Sequence, residues 1–148
     1  MEQLLDENKI GFKDDEIFLL SVDEYKQYKE NIPRMNSWWW LRSPGSFGID
    51  AAIVDYDGSV HYYGYVVDID LACVRPALKY SNLKSEISES KKENCFIWNE
   101  IRWTIIDKEK EIAIAEMPIA FMMFDNDSND YETSEIREFL KKWKDERI

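Results

Sequence analysis

The sequence predicts an α+β domain in which a mostly antiparallel, twisted sheet carries two main helices. Three observations predict it. Trp38-Trp39-Trp40 runs on into Leu41-Arg42-Ser43-Pro44-Gly45 and reads as a central strand whose alternating side chains need cover on both faces. Asp57-Gly58 lies between two alternating apolar runs, a strong short-range signal for an antiparallel hairpin. Ile136, Phe139, Leu140 and Trp143 recur at i, i+3, i+4 and i+7, the apolar stripe of an amphipathic helix.

The totals fit one domain. With 148 residues, 45% hydrophobic and 14% aromatic, the chain can bury a real core and is not of disordered composition. The net charge is −11, from 30 acidic against 19 basic residues. Such a balance argues against direct nucleic-acid binding, which works by neutralising phosphates, and against docking on anionic membranes. It favours basic partners. The first residues lack a basic stretch followed by an apolar one, so no signal peptide is expected. No run approaches the ~18 apolar residues of a membrane span. Cys73 and Cys95 are then expected to be free thiols of a cytoplasmic protein. One histidine and two distant cysteines make a zinc site improbable, and no cofactor is expected.

Taken in order, residues 1–15 read as an acidic lead-in or loose helix, and Ile17 to Leu20 as a short buried strand. Ser21 and Glu24 form an S-x-x-E capping box. It opens a helix with Val22, Tyr25, Tyr28 and Ile32 on one face, stopped by Pro33. After the tryptophan strand, residues 43–48 form a loop. A two-residue turn at Asp57-Gly58 would set Tyr56 opposite Ser59. That register places Ile49, Ala51, Ile53, Val60, Tyr62, Gly64 and Val66 on a core face. Ala52, Val54, Tyr56, His61, Tyr63 and Tyr65 share a half-exposed one. Leu71 to Ala77 reads as a strand that Pro76 confines to an edge or strand end. Residues 79–94 have the composition of a linker. Phe96 to Ile106, Glu111 to Ala115 and Pro118 to Phe124 are three further β-like runs. The closing helix is capped by Thr133 or Ser134, with lysines at its far end. The sum is two helices and about seven strands, with no internal repeat.

The stretch from Phe18 to Leu78 resembles a bacterial and phage domain family of unknown function. The likeness rests on Phe18-Leu19-Leu20-Ser21, Glu24-Tyr25, the WWLRSPG run from Trp39 to Gly45, the Asp57-Gly58 turn, and VRPAL from Val74 to Leu78. The second half resembles that family's beginning, through Ile101 to Asp107 and Tyr131 to Leu140. The halves therefore stand in circularly permuted order. Residues 1–78 are the family's C-terminal-like half, 79–94 a linker, and 95–148 its N-terminal-like half. The rival reading is a variant carrying a second, family-like half-domain. The family is distantly similar to C-type lectin-like domains and to the formylglycine-generating enzyme fold, which implies a C-type lectin-like architecture by analogy only. This chain lacks a Glu-Pro-Asn motif and paired catalytic cysteines, so neither calcium-dependent sugar binding nor that oxidase chemistry is expected.

Four kinds of site suggest themselves. Arg42 and Arg75 interrupt apolar strands, and a buried guanidinium must be paired. They read as a charge-paired framework held by carbonyls or acids, against anion recognition as the functional alternative. Asp125 to Glu132 starts like a calcium loop. It lacks the glycine at the sixth position and has Ile136 where an EF-hand has its bidentate glutamate, so a solvated loop leading into the helix cap is expected, with no metal. Tyr56, His61, Tyr63 and Tyr65 form an aromatic set suited to contacting a protein or a sugar, unless another element covers them. No nucleophile elbow or phosphate loop accompanies His61, so no catalytic residue is assigned. The expected function is a non-enzymatic binding module that recognises a protein or other macromolecule through this hairpin. The alternative is an acidic intracellular inhibitor whose carboxylates imitate a nucleic-acid backbone in a basic groove.

Overall fold

The computed structural model describes residues 10–90 and 92–146; most of the expected lead-in, residues 1–9, lies outside them. The apolar run 17–20 is buried throughout, and its first two residues form β1 (Ile17–Phe18). The capping box is complete. The Ser21 hydroxyl accepts from the Glu24 amide at 3.1 Å, and the Glu24 carboxylate accepts from the Ser21 amide at 3.0 Å, opening α1 (Val22–Tyr28). The helix stops before Ile32, with Lys29–Asn31 tightening into a 3-10 turn and Ile32 extended. A residue preceding proline is pushed out of the helical region, which explains the early stop.

Next come β2 (Trp39–Pro44), β3 (Asp50–Val54), β4 (Val60–Val66), β5 (Cys73–Val74) and β6 (Ala77–Lys79). The run 71–77 is thus broken at Arg75-Pro76, where proline has no amide for a ladder. There the chain passes from one sheet to another. Segment 79–94, expected as a linker, carries a 3-10 helix over Ser81–Glu86 and reaches the core, since Tyr80 and Leu83 are buried and Tyr80 packs on Phe96 with ring centroids 5.0 Å apart. Beyond it lie β7 (Ser88–Glu89), β8 (Cys95–Trp98), β9 (Ile101–Asp107), β10 (Ile112–Ala115), β11 (Ala120–Phe121) and α2 (Glu135–Asp145). The run expected as one strand over 96–106 is instead a hairpin. Asn99 and Glu100 take φ of 50° and 64°, the left-handed pair of a tight two-residue turn. Ser134, not Thr133, caps α2, accepting the Arg137 amide at 3.2 Å.

The architecture is α+β with two sheets in place of the single one expected. One runs β1-β6-β10-β9-β8-β7, all antiparallel; the other runs β11-β5-β2-β3-β4, with β2 and β5 parallel. The tryptophan strand is the middle of the second sheet. Trp40 stands opposite Ile53, and Trp39 opposite Val54. Alternation then sends these neighbours into two different cores. Trp40, Ile53 and Val74 meet Trp103, Ala113 and Ala115 of the other sheet, with Ile136 and Leu140 of α2 closing that side. Trp39, Leu41, Val54 and Cys73 meet Ala77, Ile112 and Ile114, with Tyr25 and Tyr28 of α1 closing the opposite side. No helix among the described residues is long and apolar enough to cross a membrane.

The β3–β4 hairpin departs from the expected register. Its turn has three residues, Tyr56-Asp57-Gly58, because the Asp55 amide bonds the Ser59 carbonyl at 2.8 Å and Gly58 takes φ +86°. This is the type I turn followed by a left-handed glycine that three-residue hairpin loops favour. The slip of one residue exchanges the faces of β4 relative to β3. His61 stands opposite Ile53, and Tyr65 opposite Ala51. Tyr62 and Ile49, expected in the core, are instead 54% and 53% exposed. A second irregularity sits at Gly64, where the register shifts between Ala51 and Ile53. Gly64 has φ +82°, and a Cβ there would lie 2.4 Å from the Ala51 carbonyl oxygen. Gly64→Ala is therefore expected to cost roughly 2 kcal/mol or more, from the left-handed backbone and the overlap together. Gly48→Ala, where a Cβ meets nothing within 4 Å, is the control and should change urea stability little. Equal stabilities for the two variants would contradict this account of the bulge.

Candidate functional site

The aromatic set gathers around one carboxylate. Asp55, the last residue before the turn, accepts the Trp38 indole N–H at 2.8 Å, the Tyr56 amide at 2.6 Å and His61 Nε2 at 2.7 Å. The Tyr56 amide first, then the His61 and Trp38 donors, hold its carboxyl below the usual range against the opposing effect of burial. Trp38 lies just outside β2, but its carbonyl accepts the Cys73 amide at 2.8 Å, so its backbone is fixed. Its ring packs against Tyr65 at 4.9 Å and Tyr56 at 5.8 Å. His61 lies 5.7 Å from both Tyr63 and Tyr65.

All four residues singled out in the sequence therefore come together, with Trp38 and Asp55 added. Tyr56 and Tyr63 are 54% and 61% exposed, whereas Tyr65 and His61 are half-buried beneath them. No helix or linker among the described residues buries the outer pair. His61 Nε2–H donates to Asp55, and Nδ1 lies 3.4 Å from the Tyr63 hydroxyl. The two contacts hold the imidazole in place. The result is an aromatic surface in which Tyr56 and Tyr63 are exposed, Trp38, His61 and Tyr65 are half-buried, and the Asp55 carboxylate joins Trp38 to His61. β4 is also the outer strand of its sheet. Ser59 bonds toward β3, so the register turns the backbone polar groups of Val60 and Tyr62 to the open side. Tyr62 projects from the opposite face, with the Lys26 ammonium 4.6 Å from its ring centroid.

The two strand arginines are framework in different ways. Arg42 makes a two-pronged pair with Glu24 at 2.6 and 2.8 Å and also donates to the carbonyls of Leu19 and Gly11. Arg75, 1% exposed, donates to the carbonyls of Ala115 and Pro33 at 2.7 Å and of Glu116 at 3.3 Å, with no carboxylate partner among the described residues. Asp125 is turned inward. It accepts the amides of Asp127 and Ser128 on one oxygen and of Glu135 on the other, tying its loop to the start of α2. Burial would raise that carboxyl, but these amides outweigh it and hold the pKa down. Among the described residues no group of three His, Cys, Asp or Glu is disposed to hold a metal ion. Cys73 is buried in the core, and Cys95 sits on β8 in the other sheet, both free thiols.

An open cleft of about 410 Å³ lies along α2, lined by residues 13–17 with Arg137, Lys141, Lys144 and Asp145. Its best-ordered charges are paired within the protein, Arg137 with Asp15 at 2.8 Å and Lys144 with Glu16 at 3.5 Å. It is a charged helix flank, and the aromatic surface is the better-built site. Trp38 escaped the sequence reading because it was grouped with Trp40 as core. Asp55 escaped because the assumed two-residue turn left it opposite Val60, away from His61. No family model, curated protein or solved structure matches this chain.

Proposed function

We propose that this domain is a non-enzymatic binding module, lectin-like in architecture, that recognises a protein through the β3–β4 hairpin and its adjoining loops. One observation carries the reading: Asp55 bonds the Trp38 indole, the His61 imidazole and the Tyr56 backbone amide, so the half-buried rings on which Tyr56 and Tyr63 rest are held before any partner arrives. Ordering aromatic side chains in advance removes part of the entropy cost of association. Tyr56 and Tyr63 supply large, stiff contact area of the kind that dominates interface energies. The open edge of β4 adds backbone donors and acceptors for an extended segment, which favours a polypeptide partner. The side-chain hydroxyl found in contact with the His61–Asp55 pair among the described residues is the Tyr63 phenol, a weak nucleophile, which suits recognition better than group transfer.

The net charge of −11 favours the second reading, an acidic inhibitor that imitates a nucleic-acid backbone on a basic partner. One capture experiment separates the two. Tagged protein is used to bind partners from lysate of its source cells at low salt and at ~0.5 M salt, where the screening length is about 4 Å. A Tyr56→Ala/Tyr63→Ala variant is run alongside. These side chains are exposed, so its melting midpoint should match the parent. The expected result is a partner kept at high salt and lost with the tyrosines. A basic partner lost in salt and indifferent to the tyrosines would establish the inhibitor reading in its place.

A further inference from the structure

Arg75 is a buried cation without a matching anion. Its Nε and one terminal nitrogen, Nη2, donate to three main-chain carbonyls, and its guanidinium lies 5.1 Å from the centroid of the Trp39 ring. The other terminal nitrogen, Nη1, has no hydrogen-bond partner among the described residues. None of their side-chain nitrogens that is shut off from solvent lacks a partner, so Nη1 must reach open space. That space is a pocket of about 120 Å³ between α1, the segment that follows it, and the β3–β4 turn, with Arg75, Trp39, Lys29, Arg34 and Asp55 in its lining.

The charges nearest Arg75 leave it unbalanced. Burial pushes the Cys73 thiol up to about 12 and raises the Tyr25 phenol, so both are neutral near pH 7. The Glu116 carboxylate is turned to Lys92 and Arg102. Burial also pulls the guanidinium itself down, to about 10, which still leaves it cationic. Asp55 is the one acid in the lining, and its carboxylate is already occupied by Trp38, Tyr56 and His61. Lys29 and Arg34, both exposed, make no ion pair with any described residue. Arg75, Lys29 and Arg34 thus line one small pocket of a strongly acidic protein, with Asp55 also in its lining and Asp57 near Arg34. A cavity of this size has room for a small polyatomic group.

We propose that this pocket binds a small oxyanion, a carboxylate or phosphate group, on Nη1 of Arg75, with Lys29 and Arg34 guarding the mouth. A bound oxyanion supplies the missing counter-charge at a site where unpaired charge is costly. The test is a titration of the 15N-labelled chain with sodium acetate, sodium phosphate and sodium chloride at constant ionic strength. It follows the Arg75 Nε–H and Trp39 Nε1–H resonances. Acetate or phosphate should shift both resonances along a saturable curve that chloride does not reproduce, and the tighter of the two names the preferred group. In Lys29→Ala/Arg34→Ala, whose changes lie at exposed positions, affinity should fall about tenfold, the worth of one charge-assisted hydrogen bond. An absence of saturable shifts, or shifts of equal affinity in the double variant, would overturn the proposal. Because Tyr56 and Tyr63 do not line this pocket, the result is independent of the hairpin's role in partner capture.

Discussion

Trp40→Ala is expected to cost about 3–5 kcal/mol and to lower the melting midpoint by on the order of 10 °C. Trp40 is fully buried in the middle strand of its sheet, opposite Ile53 and edge-on to Phe124 with ring centroids 5.6 Å apart. Its indole N–H donates to the Met122 carbonyl at 2.9 Å, so the side chain fills the core and also anchors the segment leading to α2. Truncation removes the ring, opens a cavity and strands a carbonyl. Trp40→Phe separates these effects. It keeps a six-membered ring in the core and loses the donor with the pyrrole part of the indole, for about 1–3 kcal/mol. Urea unfolding followed by circular dichroism should rank the parent above Trp40→Phe and that variant above Trp40→Ala. If Trp40→Ala melted beside the parent, the core would not depend on this strand.

That strand was legible because three successive tryptophans leave few alternatives to burial on both faces. The same holds for α1 and α2, where a capping box and an i, i+3, i+4, i+7 stripe each name a start and a face. The division into two sheets was not legible. Arg75-Pro76 gives a local reason for a break, but nothing local says that residues 73–74 and 77–79 pair in different sheets. The hairpin at Asn99-Glu100 was hidden because both residues are non-glycine in left-handed backbone, a conformation that sequence rules assign to glycine first. Segment 79–94 reads as a connector because its polar residues outnumber Tyr80 and Leu83, and only the fold shows those two reaching the core.

The aromatic site was half legible, for a specific reason. His61, Tyr63 and Tyr65 alternate along one strand, so they stay together whatever the register of that strand against β3. Their neighbours across the hairpin do not. One added turn residue moved Ile53 behind His61 in place of Val54 and brought Asp55 within reach of the imidazole. A two-residue type I′ turn needs positive φ at both Asp57 and Gly58, the three-residue turn only at Gly58, and an Asp-Gly pair permits either. Clusters within a strand thus survive a register error, whereas hubs between strands, such as Asp55, do not.

Glu24→Ala is expected to destabilise by about 3–5 kcal/mol, the cost of leaving a buried guanidinium without its partner. Both side chains of the pair are well covered, 13% exposed for Arg42 and 8% for Glu24. The carboxylate also receives the amides of Gly11 and Ser21, so one truncation removes the ion pair, half of the capping box and the tie between residue 11 and α1. Removing Arg42 as well should cost less than the two single losses added together, since the second truncation relieves the unpaired charge left by the first. Burial alone would raise the Glu24 carboxyl, but Arg42 and the two amides outweigh it and hold its pKa below the ordinary 4.5. In acid the unfolded chain therefore takes up this proton before the folded one does. The stability the pair supplies is complete above that ordinary value and is lost as pH falls through the lower, folded one. The difference in melting midpoint between the parent and Glu24→Gln should be constant near neutrality and narrow below about pH 4.5. A difference that stayed constant down to roughly pH 3 would mean that the Glu24 carboxyl is not held below its ordinary value in the folded protein.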